Sequence, residues 1–253
     1  MLEKVARIAE EAGRIAAGRC GTAFDRWEKV PGHPVCDIDL EVDAFLNQRL
    51  SALDPEAGWL SEETLDLSDR IERPRLWVVD PIDGTRDYLR GRSGWAVSVA
   101  LVEERVPVIG VLSAPARGEL WTAERGKGSW RNGERLRVSA RAELAGARVP
   151  ADQLPEADRD LVAVAKPNSI ALRIALVAAG EADLVATLRW GFEWDIAAAA
   201  LIAEEAGATV SGVLGQPLAF NTASGEAFGM LAAAPGIHAA AVERLRERAL
   251  AVV

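Results

Sequence analysis

An apolar strand that ends abruptly in two carboxylates is the feature that most constrains this chain. Residues 76–79 read LWVV and lead directly into Asp80, with Asp83 three positions later. Gly84 then allows the backbone to turn tightly. If a helix begins at Thr85, its unpaired N–H groups face the same point as the carboxylates. Carboxylates bind hard cations and such N–H groups bind phosphate, so the pattern favours metal-assisted phosphoryl chemistry.

Two further acidic segments occur in a similar setting. Glu62 and Glu63 come shortly after the apolar pair 59–60, and Asp195 opens an Ala-rich helix predicted over 195–206. Each also has a purely structural interpretation. Asp-Pro and Asp-Gly are common in turns, a Glu pair is common on solvated loops, and an aspartate at a helix N-cap stabilises by about 1 kcal/mol. A structural α/β domain with coincidental turns therefore stays open from these residues alone.

Charge and composition narrow the class of partner. Lys and Arg number 29 and Asp and Glu number 38, giving a net charge of −9. This balance argues against a nucleic-acid polymer or an anionic membrane, since both attract basic surfaces. No segment approaches the roughly 20 apolar residues of a membrane span.

The two histidines, His33 and His238, are too few for a His-rich zinc site. Two cysteines, Cys20 and Cys36, predict reduced thiols and a cytoplasmic location.

Hydrophobic periodicity predicts an α/β fold class with an α+β first half. We predict amphipathic helices over 2–18 and 37–53. Apolar runs predict an antiparallel sheet in the first half, with strands at 76–79, 95–102, 106–112, 118–122 and 135–139. The second half alternates strands and helices, with strands at 161–165, 183–188, 209–213 and 230–234 and helices at 169–179, 195–206 and 236–251. We divide the chain into an N-terminal half, 1–140, and a C-terminal half, 141–253.

Three segments together resemble a known family. SEET at 61–64, DPIDGT at 80–85 and WDIAAAALIAEEAG at 194–207 match, in order and spacing, the signatures of the inositol monophosphatase superfamily. Its members are Mg²⁺-dependent, lithium-sensitive phosphomonoesterases. The resemblance covers nearly the whole chain. It implies a layered αβαβα sandwich with the active site between the two halves, and a homodimer as a partner arrangement that the family often shows.

The resemblance also implies a set of metal ligands. Glu62, Asp80 and the backbone carbonyl of Ile82 would hold a first Mg²⁺. Asp80, Asp83 and Asp195 would hold a second, and Glu62 would also touch a weaker third ion. The expected cofactor is therefore two to three Mg²⁺ ions, with Mn²⁺ as an alternative. Most of these ligands come from the first half of the chain.

Roles on the substrate side follow from the same resemblance. Gly84 and Thr85 would offer N–H groups to the phosphate, and the Thr85 hydroxyl would orient the attacking water. Asp39, from a segment that matches the PVTxAD signature, would accept the threonine proton. We thus assign catalysis to Thr85, Asp39 and Glu62. The residues expected to bind substrate are Asp83, Gly84, Thr85, Arg86, Asn168 and Ser169.

Two departures from the family pattern bear on the substrate. Asn168 occupies a position where a glycine often precedes Ser or Thr. Leu188 falls where inositol monophosphatases carry a glutamate that grips the inositol ring, although the alignment there can slip by a residue. This argues against inositol phosphate.

Other segments favour the 3′(2′),5′-bisphosphate nucleotidase branch, among them SEE, DGTRDY, APARGE, GFEWD and GQPLAFN. Arg86, Arg90 and Arg92 could bind a second phosphate, or could form a solvated face. Trp190 and Phe192 could stack on an adenine, or could belong to the core.

The predicted activity is hydrolysis of a small phosphorylated metabolite by metal-activated water, in particular of 3′-phosphoadenosine 5′-phosphate to AMP and phosphate. Inositol 1-phosphate, fructose 1,6-bisphosphate and histidinol phosphate are alternative substrates. A non-catalytic module that binds a phosphorylated ligand is the alternative of another class.

Overall fold

Helices and sheets alternate in five layers. A computed structural model describes residues 1–20, 26–30, 33–64 and 70–252, with only the backbone described at 26–30 and 33–36. The described helices are α1 Leu2–Arg19, α2 Asp37–Leu53, α3 Thr85–Leu89, α4 Ile170–Ala178, α5 Glu193–Glu205 and α6 Pro235–Leu250. None of them is long and apolar enough to cross a membrane. The helices predicted from periodicity are all present, with ends that differ by one or two residues.

A seven-stranded sheet forms the centre of the first half. Its strands, in spatial order, are β3 Gly58–Ser61, β4 Arg75–Asp83, β5 Ala96–Glu103, β6 Val106–Ala114, β7 Glu119–Glu124, β8 Gly128–Arg131 and β9 Glu134–Arg135. β3 runs parallel to β4, and every other neighbouring pair is antiparallel. Helices α1 and α2, the two predicted amphipathic helices of the first half, cover one face of this sheet with their apolar sides.

The predicted strand at 135–139 is wrong. β9 ends at Arg135, and the next residues leave the sheet because their backbone groups find other partners. The Leu136 amide donates to Ser129 O at 2.9 Å, and the Val138 amide donates to Ala206 O at 3.1 Å, at the end of α5. β8 lies between β7 and this segment, where we predicted no strand. Trp121 of β7 is fully buried inside the first half.

The second half supplies the remaining layers. Helices α4 and α5 lie on the other face of the seven-stranded sheet, and behind them is a smaller sheet. Its strands, in spatial order, are β12 Leu184–Phe192, β14 Glu226–Ala233 and β13 Thr209–Ser211. α6 covers the outer face of that sheet. Two short pairs complete the described strands: β1 Arg26–Val30 with β2 His33–Cys36, and β10 Arg148–Pro150 with β11 Val162–Val164. The predicted αβαβα sandwich is confirmed.

Close packing fixes α5 against the large sheet. A Cβ added to Gly110 of β6 would lie 2.6 Å from the Ala198 carbonyl oxygen of α5, so only glycine allows this approach. The alanines of α5 are buried on several sides, which explains why the helix shows no amphipathic pattern. The contact sets the depth of α5, and hence the position of the acidic residue in its first turn.

Candidate active site

Both carboxylates of the DPIDGT segment lie at the end of β4, where the strand is irregular. Asp80 pairs with Ser98 of β5 and Asp83 pairs with Ala96. Between these two pairs the chain advances by three residues in β4 and by two residues in β5. On a regular strand, side chains three positions apart point to opposite faces. The extra residue allows the two carboxylates to reach the same site.

Asp195 approaches from the second half, in the first turn of α5. Its Oδ2 accepts a hydrogen bond from the Phe192 amide at 3.3 Å, so the carboxylate also supports the helix N-terminus. Carboxylate oxygens of Asp80, Asp83 and Asp195 all lie within 4.8 Å of one another. We call these three residues the carboxylate cluster. It could hold a metal ion.

The carboxylate cluster holds its negative charge at an energetic cost. Asp80 is 1% exposed, and burial is the main reason that its pKa lies well above the ordinary value. Nearby negative charges raise that pKa further, those of Glu62, Asp83, Asp195 and Asp39. Burial and the charge of Asp83 raise the pKa of Asp195 to about 7. A divalent cation would offset this repulsion, and clustered carboxylate oxygens are the ligands that Mg²⁺ prefers, so these residues fit the expected cofactor.

Asp83 joins the two halves of the chain. Its Oδ2 accepts hydrogen bonds from the Ser169 hydroxyl and from the Ala171 amide, the latter at 2.8 Å. Its Oδ1 accepts from the Ile170 amide at 3.3 Å. Burial raises the pKa of Asp83, and these hydrogen bonds together with the charge of Arg173 oppose that increase. The carboxylate is therefore oriented by the N-terminus of α4 as well as by its own strand.

The turn after Asp83 leaves no space for a side chain. Gly84 has φ of 94°, and a Cβ there would lie 2.7 Å from Gly94 O and 2.8 Å from the Ser169 amide nitrogen. The next residue, Thr85, begins α3, and its hydroxyl donates to the Ile82 carbonyl at 3.0 Å. The threonine hydroxyl and the carbonyl predicted as a metal ligand are thus direct neighbours.

Glu62 and Glu63 lie on a loop that one buried carboxylate holds from both ends. Asp43 of α2 is 5% exposed and accepts hydrogen bonds from the hydroxyls of Ser61, at 2.5 Å, and of Thr64. The Glu62 amide donates to Val79 O at 3.3 Å, which ties the loop to the strand that carries the carboxylate cluster. Sequence reasoning did not identify Asp43, although it follows Asp39 by one helical turn.

A cavity of about 460 Å³ opens over the carboxylate cluster. Most of the predicted site residues line it: Glu62, Asp80, Ile82, Asp83, Gly84, Thr85, Arg86, Asn168 and Asp195. Asp39 and Ser169 are instead buried, at 1% and 0% exposure. Arg90 and Arg92, expected near a second phosphate, do not line this cavity, and Arg92 lies 3.8 Å from Asp87.

Comparisons with known proteins show the family of the chain. Residues 1–251 match the sequence profile of the inositol monophosphatase family. The chain belongs to this family. It is 35% identical to an inositol-1-monophosphatase of Mesorhizobium japonicum, over 83% of this chain and 85% of that one. It is 29% identical to the 3′(2′),5′-bisphosphate nucleotidase CysQ of Aggregatibacter actinomycetemcomitans, over 87% of each. The solved structure of a Thermotoga maritima IMPase matches with a TM-score of 0.83 at 28% identity, covering 96% of this chain and 95% of that one.

Membership of the inositol monophosphatase family makes the chain a phosphatase, a hydrolase of phosphoric monoesters. The names of these similar proteins specify different small phosphorylated substrates. Family membership therefore leaves the substrate of this chain open. The other residues that line the cavity carry the remaining information on the substrate.

Sequence reasoning missed three basic residues that line the same cavity. Lys166, Arg173 and Arg189 line the cavity together with Arg86. One of them had a detectable signal, because Arg173 is the single charged residue in the apolar helix IALRIALVA. The others have no such signal, since an isolated Lys or Arg near a turn or a strand end is ordinary surface composition.

Proposed function

We propose that this chain is a Mg²⁺-dependent phosphomonoesterase that acts on a 3′(2′),5′-bisphosphate nucleotide, releasing phosphate from 3′-phosphoadenosine 5′-phosphate. The observation that carries the proposal is the juxtaposition in one cavity of three close carboxylates with a wall of basic residues. The carboxylates suit a divalent cation, and the basic wall suits a substrate more negative than a simple phosphate ester.

In this proposal Asp80, Asp83 and Asp195 hold Mg²⁺, together with Glu62 and the Ile82 carbonyl. Bound Mg²⁺ supplies charge neutralisation for the phosphate and lowers the pKa of water. Phosphoryl transfer depends mainly on positioning and charge, which the protein residues provide without a covalent nucleophile.

The Thr85 hydroxyl positions the attacking water in the proposed reaction. It already donates to the Ile82 carbonyl, so its oxygen lone pairs are left to accept a hydrogen bond from water. The N–H groups of Gly84 and Thr85 would bind phosphate oxygens. Asp39 as the acceptor of the threonine proton stays a prediction. Its burial and its effect on the pKa of Asp80 agree with a location beside the cluster.

An aromatic side chain at the cavity supports a nucleotide as substrate. Trp190 lines the cavity and is 56% exposed, which is unusual for a tryptophan. Its ring packs in an edge arrangement against Phe228, at 5.4 Å between centroids. An exposed ring face next to a phosphate site can stack on a base. Phe192, the other candidate, is stacked on Trp194 at 4.4 Å and is less available.

The alternatives fit the cavity less well. Inositol 1-phosphate has a neutral polyol as its leaving group, and the cavity carries basic side chains, Lys166, Arg173 and Arg189, that such a leaving group does not need. Histidinol phosphate carries cationic groups, which the basic wall would repel. Fructose 1,6-bisphosphate has a second phosphate but no base for Trp190. A non-catalytic binding module requires the loss of a ligand or of the water-positioning group, and this chain retains the whole set.

Phosphate release with Mg²⁺, with and without lithium, tests the proposal. The substrates are 3′-phosphoadenosine 5′-phosphate, inositol 1-phosphate, fructose 1,6-bisphosphate and histidinol phosphate. We expect kcat/KM for the nucleotide to exceed the others by about a hundredfold, which is roughly 2.7 kcal/mol in the transition state. A similar preference for inositol phosphate would contradict the nucleotidase assignment and leave the metal site standing. Tight binding without turnover would favour the binding module.

A further inference from the structure

The strand that leads to Asp195 contains a second irregularity. In the pairing of β12 with β14, Thr187 lies opposite Met230 and Trp190 lies opposite Phe228. Two residues of β12, Leu188 and Arg189, therefore face a single residue of β14, which is the arrangement of a β-bulge. The bulge coincides with the place where the family glutamate is replaced.

The partner of the bulge is a glycine. Gly229 has φ of 58°, and a Cβ there would lie 2.9 Å from the Thr187 carbonyl oxygen. The Thr187 hydroxyl in turn accepts a hydrogen bond from the Met230 amide at 3.0 Å. Gly229 can adopt the backbone conformation that the bulge requires, and the hydrogen bond to the Thr187 hydroxyl stabilises it. The sequence of the small sheet therefore specifies the bulge.

The bulge turns Arg189 toward the active-site cavity. Arg189 lines the cavity, and its charge influences both Asp195 on one side and Arg173 on the other. It forms no salt bridge with the residues that the structure describes. A guanidinium beside a negative cluster, near a second guanidinium and without a paired carboxylate, has unused capacity for an anion.

Two backbone carbonyls orient the Arg173 guanidinium. Its Nε donates to Pro167 O at 2.7 Å and one terminal nitrogen donates to Asn168 O at 2.6 Å. These neutral carbonyls orient the guanidinium without neutralising its charge. Lys166, also on this wall, is already paired with Asp152 at 2.5 Å. The two arginines are therefore the cations best suited to a ligand.

We propose that Arg189 and Arg173 form a subsite for a second phosphate group of the substrate, and that the bulge in β12 exists to place Arg189 there. The proposal rests on the proposed function and deepens it, because it names the residues that bind the phosphate group which is not hydrolysed. It predicts that the substrate class is a bisphosphate, whichever scaffold joins its two phosphates. Arg189 acts here as a specificity-determining residue and takes no part in bond cleavage.

Binding calorimetry on two matched ligand pairs tests the subsite without requiring turnover. The first pair is 3′-phosphoadenosine 5′-phosphate and adenosine 3′-phosphate, and the second is fructose 1,6-bisphosphate and fructose 1-phosphate. Ca²⁺ replaces Mg²⁺ so that hydrolysis does not interfere. We expect the wild-type chain to bind each bisphosphate at least about tenfold more tightly than its monophosphate, as a charge-assisted contact to arginine provides.

Arg189→Ala should reduce this ratio by about tenfold, and Arg189→Lys should reduce it less, since the charge is kept but the bidentate geometry is lost. Arg159→Ala is the matched control, because Arg159 is exposed and outside the cavity, and the ratio in this variant should stay within about twofold. Equal binding of both members of each pair by the wild type, or an unchanged ratio in Arg189→Ala, would overturn the subsite. A correct ratio with no phosphate release would contradict the proposed function alone.

Discussion

The Asp83 carboxylate accepts a hydrogen bond from the Ser169 hydroxyl, 86 positions later in the chain. The same hydroxyl accepts from the Leu172 amide at 2.9 Å and so caps α4. A residue of the carboxylate cluster and the cap of a helix in the other half are thereby held together. The geometry of the candidate metal site depends on the packing of α4 against the end of β4.

Replacing Ser169 by Ala should lower both stability and activity. The loss of an N-cap costs about 1 kcal/mol in the free energy of unfolding. Asp83 would also lose one of its donors, so kcat should fall while KM changes less. Urea unfolding and steady-state phosphate release measure the two effects. Ser224→Ala is a matched control, because Ser224 is exposed and its hydroxyl accepts a hydrogen bond from the Glu226 amide at the surface. An unchanged kcat in Ser169→Ala would show that this contact does not orient Asp83.

The metal-free protein should become less stable as the pH rises from about 4 to about 7. The pKa of Asp195 is about 7 in the folded chain against an ordinary value of 3.8, so the folded state binds the proton more tightly. This contribution to stability is fully present below pH 3.8 and is lost as the pH rises through 7. Asp80 and Asp83, whose pKa values are also raised, act in the same direction.

Urea unfolding in EDTA at several pH values measures this slope, which is at most about 1.4 kcal/mol per pH unit for each carboxylate. Asp195→Asn should flatten it. Mg²⁺ should restore stability at pH 7, because the cation binds the ionised form. A metal-free stability that rises over this range would contradict the electrostatic account of the site.

Asp43→Ala should raise the Mg²⁺ concentration that activity requires. The buried Asp43 carboxylate holds the hydroxyls of Ser61 and Thr64 on either side of Glu62. Without it the loop is released, and we expect the Mg²⁺ concentration for half-maximal activity to rise about tenfold or more, as mutation of the partners that orient metal ligands does. Circular dichroism and the melting temperature separate this effect from unfolding. The same Mg²⁺ requirement as in the wild type would exclude a role for Asp43 in positioning Glu62.

A contact far from the cavity should affect stability alone. Asp183 precedes β12 and accepts hydrogen bonds from Ser139 Oγ at 2.6 Å and from the Arg148 amide and guanidinium at 2.8–3.0 Å. Hydrogen bonds to Arg148 and Ser139 outweigh burial and lower the pKa of Asp183 to about 2. Because the Arg148 side chain is 37% exposed, Asp183→Ala should cost about 2–3 kcal/mol, at the low end for a broken buried pair. Its kcat/KM should be unchanged, and a large change would indicate coupling between the small sheet and the site.

The local parts of the site could be predicted from the sequence. DPIDGT is a strand end followed by a turn and a helix start, and each of these features is determined by neighbouring residues. The helix of Asp195 and its capping role follow from WDIAAAA in the same way. The layered fold followed from the resemblance, which joined these segments in the right order.

The rest depends on contacts distant in sequence. A β-bulge in β12 is defined by its pairing with β14, and no local pattern shows that Leu188 and Arg189 face a single Gly229. Arg173 reaches the cavity because the N-terminus of α4 docks on Asp83 at the end of β4. The error at 135–139 has the same origin, since the Val138 amide leaves the sheet for the end of α5.

Phosphate release by the wild-type chain and by Asp83→Asn, measured across a Mg²⁺ titration, tests the central claim most directly. An asparagine oxygen in the place of Oδ2 can still accept hydrogen bonds from the Ser169 hydroxyl and the Ala171 amide, so the fold should persist by circular dichroism while the charge that would hold the cation is lost. We predict Mg²⁺-dependent release by the wild type, stopped by EDTA, and no detectable release by Asp83→Asn. Full activity in the folded variant would contradict the assignment of the carboxylate cluster as the catalytic metal site.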